Sequence, residues 1–85
     1  MTRTITVRYF ASIREAMGTG AETLTTSAAT VAALREELAR RSAQATQALC
    51  GSQPVRLALN QNMCPPDAPI AAGDEVAFFP PVTGG

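Results

Sequence analysis

The stretch Gly73-Asp74-Glu75-Val76-Ala77-Phe78-Phe79-Pro80-Pro81-Val82-Thr83-Gly84-Gly85 decides the fold. Gly73-Asp74 is a turn signal. Residues 75–79 then form a short strand, with Val76 and Phe78 on one face and Ala77 and Phe79 on the other. Pro80-Pro81 stops the ladder, because neither residue has an N–H to donate. A final strand this apolar favours the sheet centre. Its expected neighbour lies at the other end of the chain. Residues 3–10, Arg-Thr-Ile-Thr-Val-Arg-Tyr-Phe, alternate cleanly, with Ile5, Val7 and Tyr9 on one face and Thr4, Thr6, Arg8 and Phe10 on the other. Two such strands lie parallel only if a long crossover joins them.

The middle of the chain supplies that crossover. Ser12 and Glu15 have capping-box spacing, Ile13, Ala16 and Met17 follow, and Gly18 ends a short helix. Residues 22–26 are Thr-rich and predict a strand returning antiparallel to the first. Ser27 or Thr30 caps a main helix in which Val31, Leu34 and Leu38 recur at helical spacing, continued by Ala45 and Leu49. Its end falls somewhere in the small, polar residues 42–47. Glu36–Arg40 and Glu37–Arg41 are i,i+4 pairs suited to its wet side. After Pro54, residues 55–60 alternate again, with Val55, Leu57 and Leu59 inward. Asn60-Gln61-Asn62 reads as a turn, and Met63-Cys64 as a stub of edge strand.

This order predicts an α+β protein, a β-grasp (ubiquitin-like) roll. Its mixed sheet has four to five strands, with one main helix and one short helix. Residues 1–80 form the domain and residues 81–85 a flexible tail.

Composition excludes much chemistry. The chain has 85 residues, 46% of them hydrophobic, and no formal net charge; all seven cations are arginine. Without His there is no Ser–His or Cys–His nucleophile pair and no His-ligated metal. Without Lys there is no Schiff base and no phosphate-loop lysine. Neutrality with scattered arginines argues against a nucleic-acid partner. No stretch approaches the ~18 apolar residues of a membrane span. Arg3, Arg8, Arg14 and Glu15 interrupt any leader segment, so a cytoplasmic location is expected. Cys50 and Cys64 match no metal or redox spacing and read as small buried apolar residues rather than a redox pair.

The tail carries the functional signal. At ordinary glycine usage, Gly-Gly in the last two positions arises by chance in about 1 chain in 200. Lacking Cβ atoms, Gly84 and Gly85 form a thread thin enough for a narrow channel, with a carboxylate at its tip. A stiff Pro-Pro base and β-branched Val82 aim it. If the first and last strands are parallel neighbours, Phe10 and Phe79 project together from the outward face, with Met63 as a third member. Exposed aromatics beside one another mark an interface.

Residues 73–85 resemble the C-terminus of the molybdopterin synthase small-subunit family. Phe10-Ala11-Ser12-Ile13-Arg14-Glu15, Thr30-Val31-Ala32-Ala33-Leu34 and Leu59-Asn60-Gln61 resemble the same family. The resemblance implies a ubiquitin-like sulfur carrier for molybdenum cofactor biosynthesis, not catalytic alone. Gly85 is then the reacting residue, becoming a glycyl adenylate and afterwards a thiocarboxylate, with Pro81, Val82, Thr83 and Gly84 threading the tail. Phe10, Met63, Phe79 and Pro80 face the partner. The implied partners are the large catalytic subunit of the synthase, in a heterotetramer, and a ubiquitin-activating-like adenylyltransferase. A sulfur donor such as a cysteine desulfurase or rhodanese completes the set. ATP and magnesium belong to the activating partner and no cofactor to this chain. The sulfur acceptor is precursor Z, cyclic pyranopterin monophosphate. A carrier for thiamine, tRNA thiolation or another thio-metabolite, or a β-grasp interaction module with an inert tail, are the competing readings. A carrier without lysine also offers no side-chain amine for self-acylation, although GC-rich codon usage is the favoured cause of that composition.

Overall fold

β1 (Arg3–Tyr9) and β5 (Glu75–Phe79) lie side by side and parallel in a computed structural model that describes residues 2–51 and 54–80. Their register runs from Thr6 opposite Glu75 to Tyr9 opposite Phe78. Between them in sequence come α1 (Ala11–Met17), β2 (Ala21–Thr26), α2 (Val31–Ala39), α3 (Ala43–Cys50), β3 (Arg56–Leu59) and β4 (Asn62–Met63). The sheet has five strands in the order β2-β1-β5-β3-β4. β2 is antiparallel to β1, and β3 is antiparallel to both β4 and β5. This is the expected β-grasp roll, with both chain ends feeding the middle of the sheet.

Alternation explains which side of the sheet is covered. Ile5, Val7, Tyr9, Val76 and Phe78 are all at most 1% exposed. They meet Val31, Leu34 and Leu38 from α2 and Leu49 from α3 in one core. Full burial of each large apolar side chain contributes about 1.5–3 kcal/mol. Thr30 is the cap of α2: its hydroxyl accepts from the Ala33 N–H at 3.2 Å, while its backbone is still extended. Below the sheet, the Arg3 guanidinium donates to the carbonyls of Ala28 and Ile70, tying β1 to the loops at either end of the crossover.

Three local expectations are corrected. The capping box does not form: Phe10 is the N-cap of α1, extended at φ −127°, and no side chain caps the helix. Phe10 is still held by the sheet, its N–H donating to the Phe78 carbonyl, and its own carbonyl receives Ile13 and Arg14. The ladder thus hands the chain directly to the helix, and Ser12 falls inside the first turn. The C-terminus is as expected, with Gly18 left-handed at φ 79° and its N–H on the Arg14 carbonyl.

The single main helix is two helices, which makes three in the described residues. α2 ends at Ala39, and the Ser42 hydroxyl accepts from the Ala45 N–H to start α3. Thr46 then donates to the carbonyls of Ala39 and Ser42, bonding across the break. Serine and threonine offer the backbone these alternative partners, and so interrupt a helix that the apolar spacing alone would continue. Ala45 and Leu49 still reach the core, each 1% exposed.

Neither i,i+4 ion pair forms among the described residues, and Arg41 pairs across the fold instead. Arg41 donates to both carboxylate oxygens of Glu22 on β2, at 2.9 and 2.8 Å, and Glu37 accepts from the buried Thr26 hydroxyl at 2.6 Å. The Tyr9 hydroxyl completes the group, donating to Glu22 at 2.8 Å while its ring stacks on Phe78. Burial pushes the Glu22 carboxyl up, but the Arg41 and Tyr9 hydrogen bonds outweigh it and hold the group below its usual value. The Tyr9 phenol is pushed well above its usual range, first by burial and then by Glu22. β3 and β4 are joined by Asn60-Gln61, both at positive φ, as a tight hairpin requires.

The folded state favours protonated Tyr9, so this stabilisation is fully present below the unfolded value of about 10 and is lost as pH rises above it. With one tyrosine and no tryptophan, tyrosinate absorbance reads this group alone. In folded protein its onset is expected well above pH 10, and in urea near the ordinary value of about 10. Tyr9→Phe should flatten the alkaline fall in stability. An ordinary titration in the folded state would contradict the buried hydrogen bond.

Candidate docking face and tail root

β1, β5, β3 and β4 each contribute to the side of the sheet away from the helices. Register places Arg8, Ala77, Ala58 and Met63 in one row across four strands, and Phe79 opposite Arg56 in the next. Side chains directly opposite one another lie on the same face. Phe10 continues the β1 parity and stacks on Phe79, with centroids 4.6 Å apart and planes 9° from parallel. The Arg8 guanidinium lies over the Phe10 ring, 5.6 Å from its centroid. Both rings are half-buried, whereas Met63 is 62% exposed.

Phe10, Phe79 and Met63 therefore share one face, as strand parity predicts. Pro80 does not join them. It lines a groove of about 670 Å³ between α1 and α3, with Ile13, Ala16, Ala48 and Val55 among its walls. The reason is the same parity: Pro80 follows Phe79 and turns toward the Phe78 side. The root of the tail thus lies where the outward face meets the helical side. Pro81, Val82, Thr83, Gly84 and Gly85, expected to thread and react, lie outside the described residues.

Sequence reasoning overlooked the floor of this face. Ala58 and Ala77 are 3% and 5% exposed although no helix covers them. Register sets Arg8, Phe79, Arg56 and Met63 around them on the same face. Strand parity places Ala77 and Arg8 there; the pairing of Ala58 with Ala77 needed the sheet order. Cys64 is half-buried against the core, and burial pushes its thiol up, which disfavours the reactive thiolate. Cys50 is exposed at the end of α3, contrary to its reading as a buried apolar residue, and both thiols are free. It belongs to a helix whose boundaries the sequence left open.

Comparison with known proteins gives a consistent result. The ThiS family pattern matches residues 7–85. The chain is 44% identical over 81 residues to the molybdopterin synthase sulfur carrier subunit of Escherichia coli, covering 95% of this chain and 99% of that protein. Identity to the same subunit of Haemophilus influenzae is 41% over 81 residues, with the same coverage. Among solved structures, SAMP1 from Haloferax volcanii superposes with a TM-score of 0.80 at 25% identity, covering 96% of this chain and 99% of that one. A chain from the complex of subunits 1 and 2 of molybdopterin-converting factor from Helicobacter pylori superposes at 0.64 with 26% identity, covering 96% and 99%.

The two adjacent phenylalanines should separate folding from surface function. Phe78→Ala opens the core and is expected to cost about 3–5 kcal/mol. Phe79→Ala loses the Phe10 stack, about 0.5–1.5 kcal/mol, together with the partial burial of one ring, and is expected to cost less than Phe78→Ala. Urea unfolding of both variants checks this, and equal losses would contradict the assignment of the faces.

Proposed function

The chain belongs to the ThiS family, and from that membership we propose that it is a sulfur carrier in molybdenum cofactor biosynthesis. The observation that carries the reading is near full-length identity to two molybdopterin synthase sulfur carrier subunits, within which the match to the family runs through Gly84-Gly85. The Phe10–Phe79–Met63 face supports it, since a carrier must be gripped by the enzymes that act on its tail.

The chemistry follows from the groups present. The Gly85 carboxylate is inert toward nucleophiles at neutral pH. Attack of its oxygen on the α-phosphorus of ATP, with magnesium and an adenylyltransferase, expels pyrophosphate and leaves an acyl adenylate. A persulfide on a desulfurase or rhodanese displaces AMP at the acyl carbon to give an acyl disulfide. A second thiol then cleaves the S–S bond, releasing the thiocarboxylate and leaving a disulfide on the donor. That sulfur is a good anionic nucleophile for the pterin precursor, cyclic pyranopterin monophosphate. Val82 and Thr83 carry it into the large subunit of a synthase heterotetramer, and Gly84 keeps the thread slim. Pro80 and Pro81 stiffen its root. Bases and cations come from the partners, so a chain without His or Lys suffices. These enzymes are cytoplasmic in this reading; no helix in the described residues is long and apolar enough to cross a membrane.

Incubation with the activating enzyme, ATP, magnesium and a sulfur donor should raise the intact mass by one oxygen-to-sulfur exchange. Removal of Gly85 should abolish that shift while the circular dichroism spectrum stays unchanged. An unchanged mass for the full chain under these conditions counts against a carrier. Phe79→Asp should weaken binding to the large subunit at least tenfold, the cost of an unpaired charge in an apolar contact.

A further inference from the structure

The outward face has an apolar centre with two arginines beside it. Ala58 and Ala77 lie at that centre, side by side in register. Arg8 stands next to Ala77 across β1, and Arg56 stands two residues before Ala58 on β3, opposite Phe79. The two guanidiniums therefore flank the aromatic pair from opposite sides. Arg56 makes no hydrogen bond or ion pair with another described residue. Arg8 has only a long contact to Glu75, at 4.0 Å, and both of those side chains are solvent-accessible. Such a pair leaves most of the charge available. Packing on Phe10 holds the Arg8 head at the edge of the aromatic patch. The whole chain carries no formal net charge, so this excess of cation over anion is local to the face.

We propose that Arg8 and Arg56 select the partner that covers this face: a protein surface with an apolar side chain at its centre and carboxylates at two points on its rim. The apolar group packs on the accessible parts of Phe10, Phe79 and Met63. The carboxylates meet the two guanidiniums, whose planar fork donates to both oxygens of one carboxylate. The apolar centre sets how slowly the complex separates, and the arginines set how fast and in which orientation it forms, because rim charges act mainly on encounter. The occupant is taken as the large subunit, so the inference rests on the carrier reading above; the acidic rim of that partner is what this face adds.

The test is association kinetics with the large subunit at varied ionic strength, using the full-length chain. The Arg8→Gln/Arg56→Gln variant is expected to associate about tenfold more slowly at low salt and to dissociate at nearly the unaltered rate. The difference should vanish near 1 M salt, where the screening length falls to about 3 Å. The Arg8→Lys/Arg56→Lys variant keeps both charges and should keep most of the rate. Both positions are exposed, and thermal melting confirms that each variant is folded. If the Gln variant associates at the unaltered rate at low salt while Phe79→Asp still weakens binding, the arginine proposal is overturned and the docking face stands. If Phe79→Asp has no effect either, the docking face and the carrier complex built on it fall as well.

Discussion

Parallel pairing of β1 with β5 is the constraint on which the rest of the molecule depends. Two parallel strands cannot be joined by a tight turn, so the chain between Tyr9 and Glu75 must make a long crossover, which α2 and α3 carry over one face of the sheet. That passage creates the core. Val7 and Val76 become neighbours, as do Tyr9 and Phe78, and the apolar faces of α2 and α3 close over all four. The same pairing also creates the outward site. Phe10 and Phe79 are distant in sequence and can stack only because the two strands end at the same edge. The core and the docking face are thus two sides of one register.

The polar groups divide along similar lines. Glu22, Arg41 and Tyr9 form a partly buried cluster that joins β2 and β1 to the segment after α2. Its members are chemically committed to one another, and this holds the carboxyl low and the phenol high. Asn60 plays a similar part at the other end of the sheet, donating to the Asp74 carboxylate while its own oxygen accepts from the Glu75 N–H. The backbone N–H of Ala71 and the Asn60 amide hold the Asp74 carboxyl below its usual range. Arg56, by contrast, has no such partner among the described residues, and Arg8 has only a 4.0 Å contact to Glu75 and the Phe10 ring. Cations held this loosely beside an apolar surface are available to a partner, which is how a neutral chain can still present a charged face.

Much of this was legible before any coordinates. The alternation of Ile5, Val7 and Tyr9 against Thr6, Arg8 and Phe10 gave the buried and outward faces of β1 correctly, and Val76–Phe79 gave those of β5. Thr30 was one of two caps foreseen for α2. Other features were hidden because several structures satisfy the same pattern. Leu38, Ala45 and Leu49 suit one long helix or two short ones, and Ser42 chose between them by capping. Glu36 and Glu37 have helical spacing to Arg40 and Arg41, but Arg41 lies past the end of α2, where Glu22 offers a bidentate partner. Ser12 has cap chemistry, yet the ladder bond at Phe10 had already set where the helix begins.

The sequence by itself determined strand parity, the stop at Pro80-Pro81 and the composition of the tail. Each follows from local covalent geometry: successive side chains on a strand alternate whatever lies beside them, proline has no N–H, and glycine has no Cβ. Tertiary structure alone decided the strand order and the partner of Arg41. It also set Ala58 beside Ala77, and so made the floor of the docking face. These depend on groups that meet only after distant segments have been brought together. Which contact wins is then a matter of which partner is within reach.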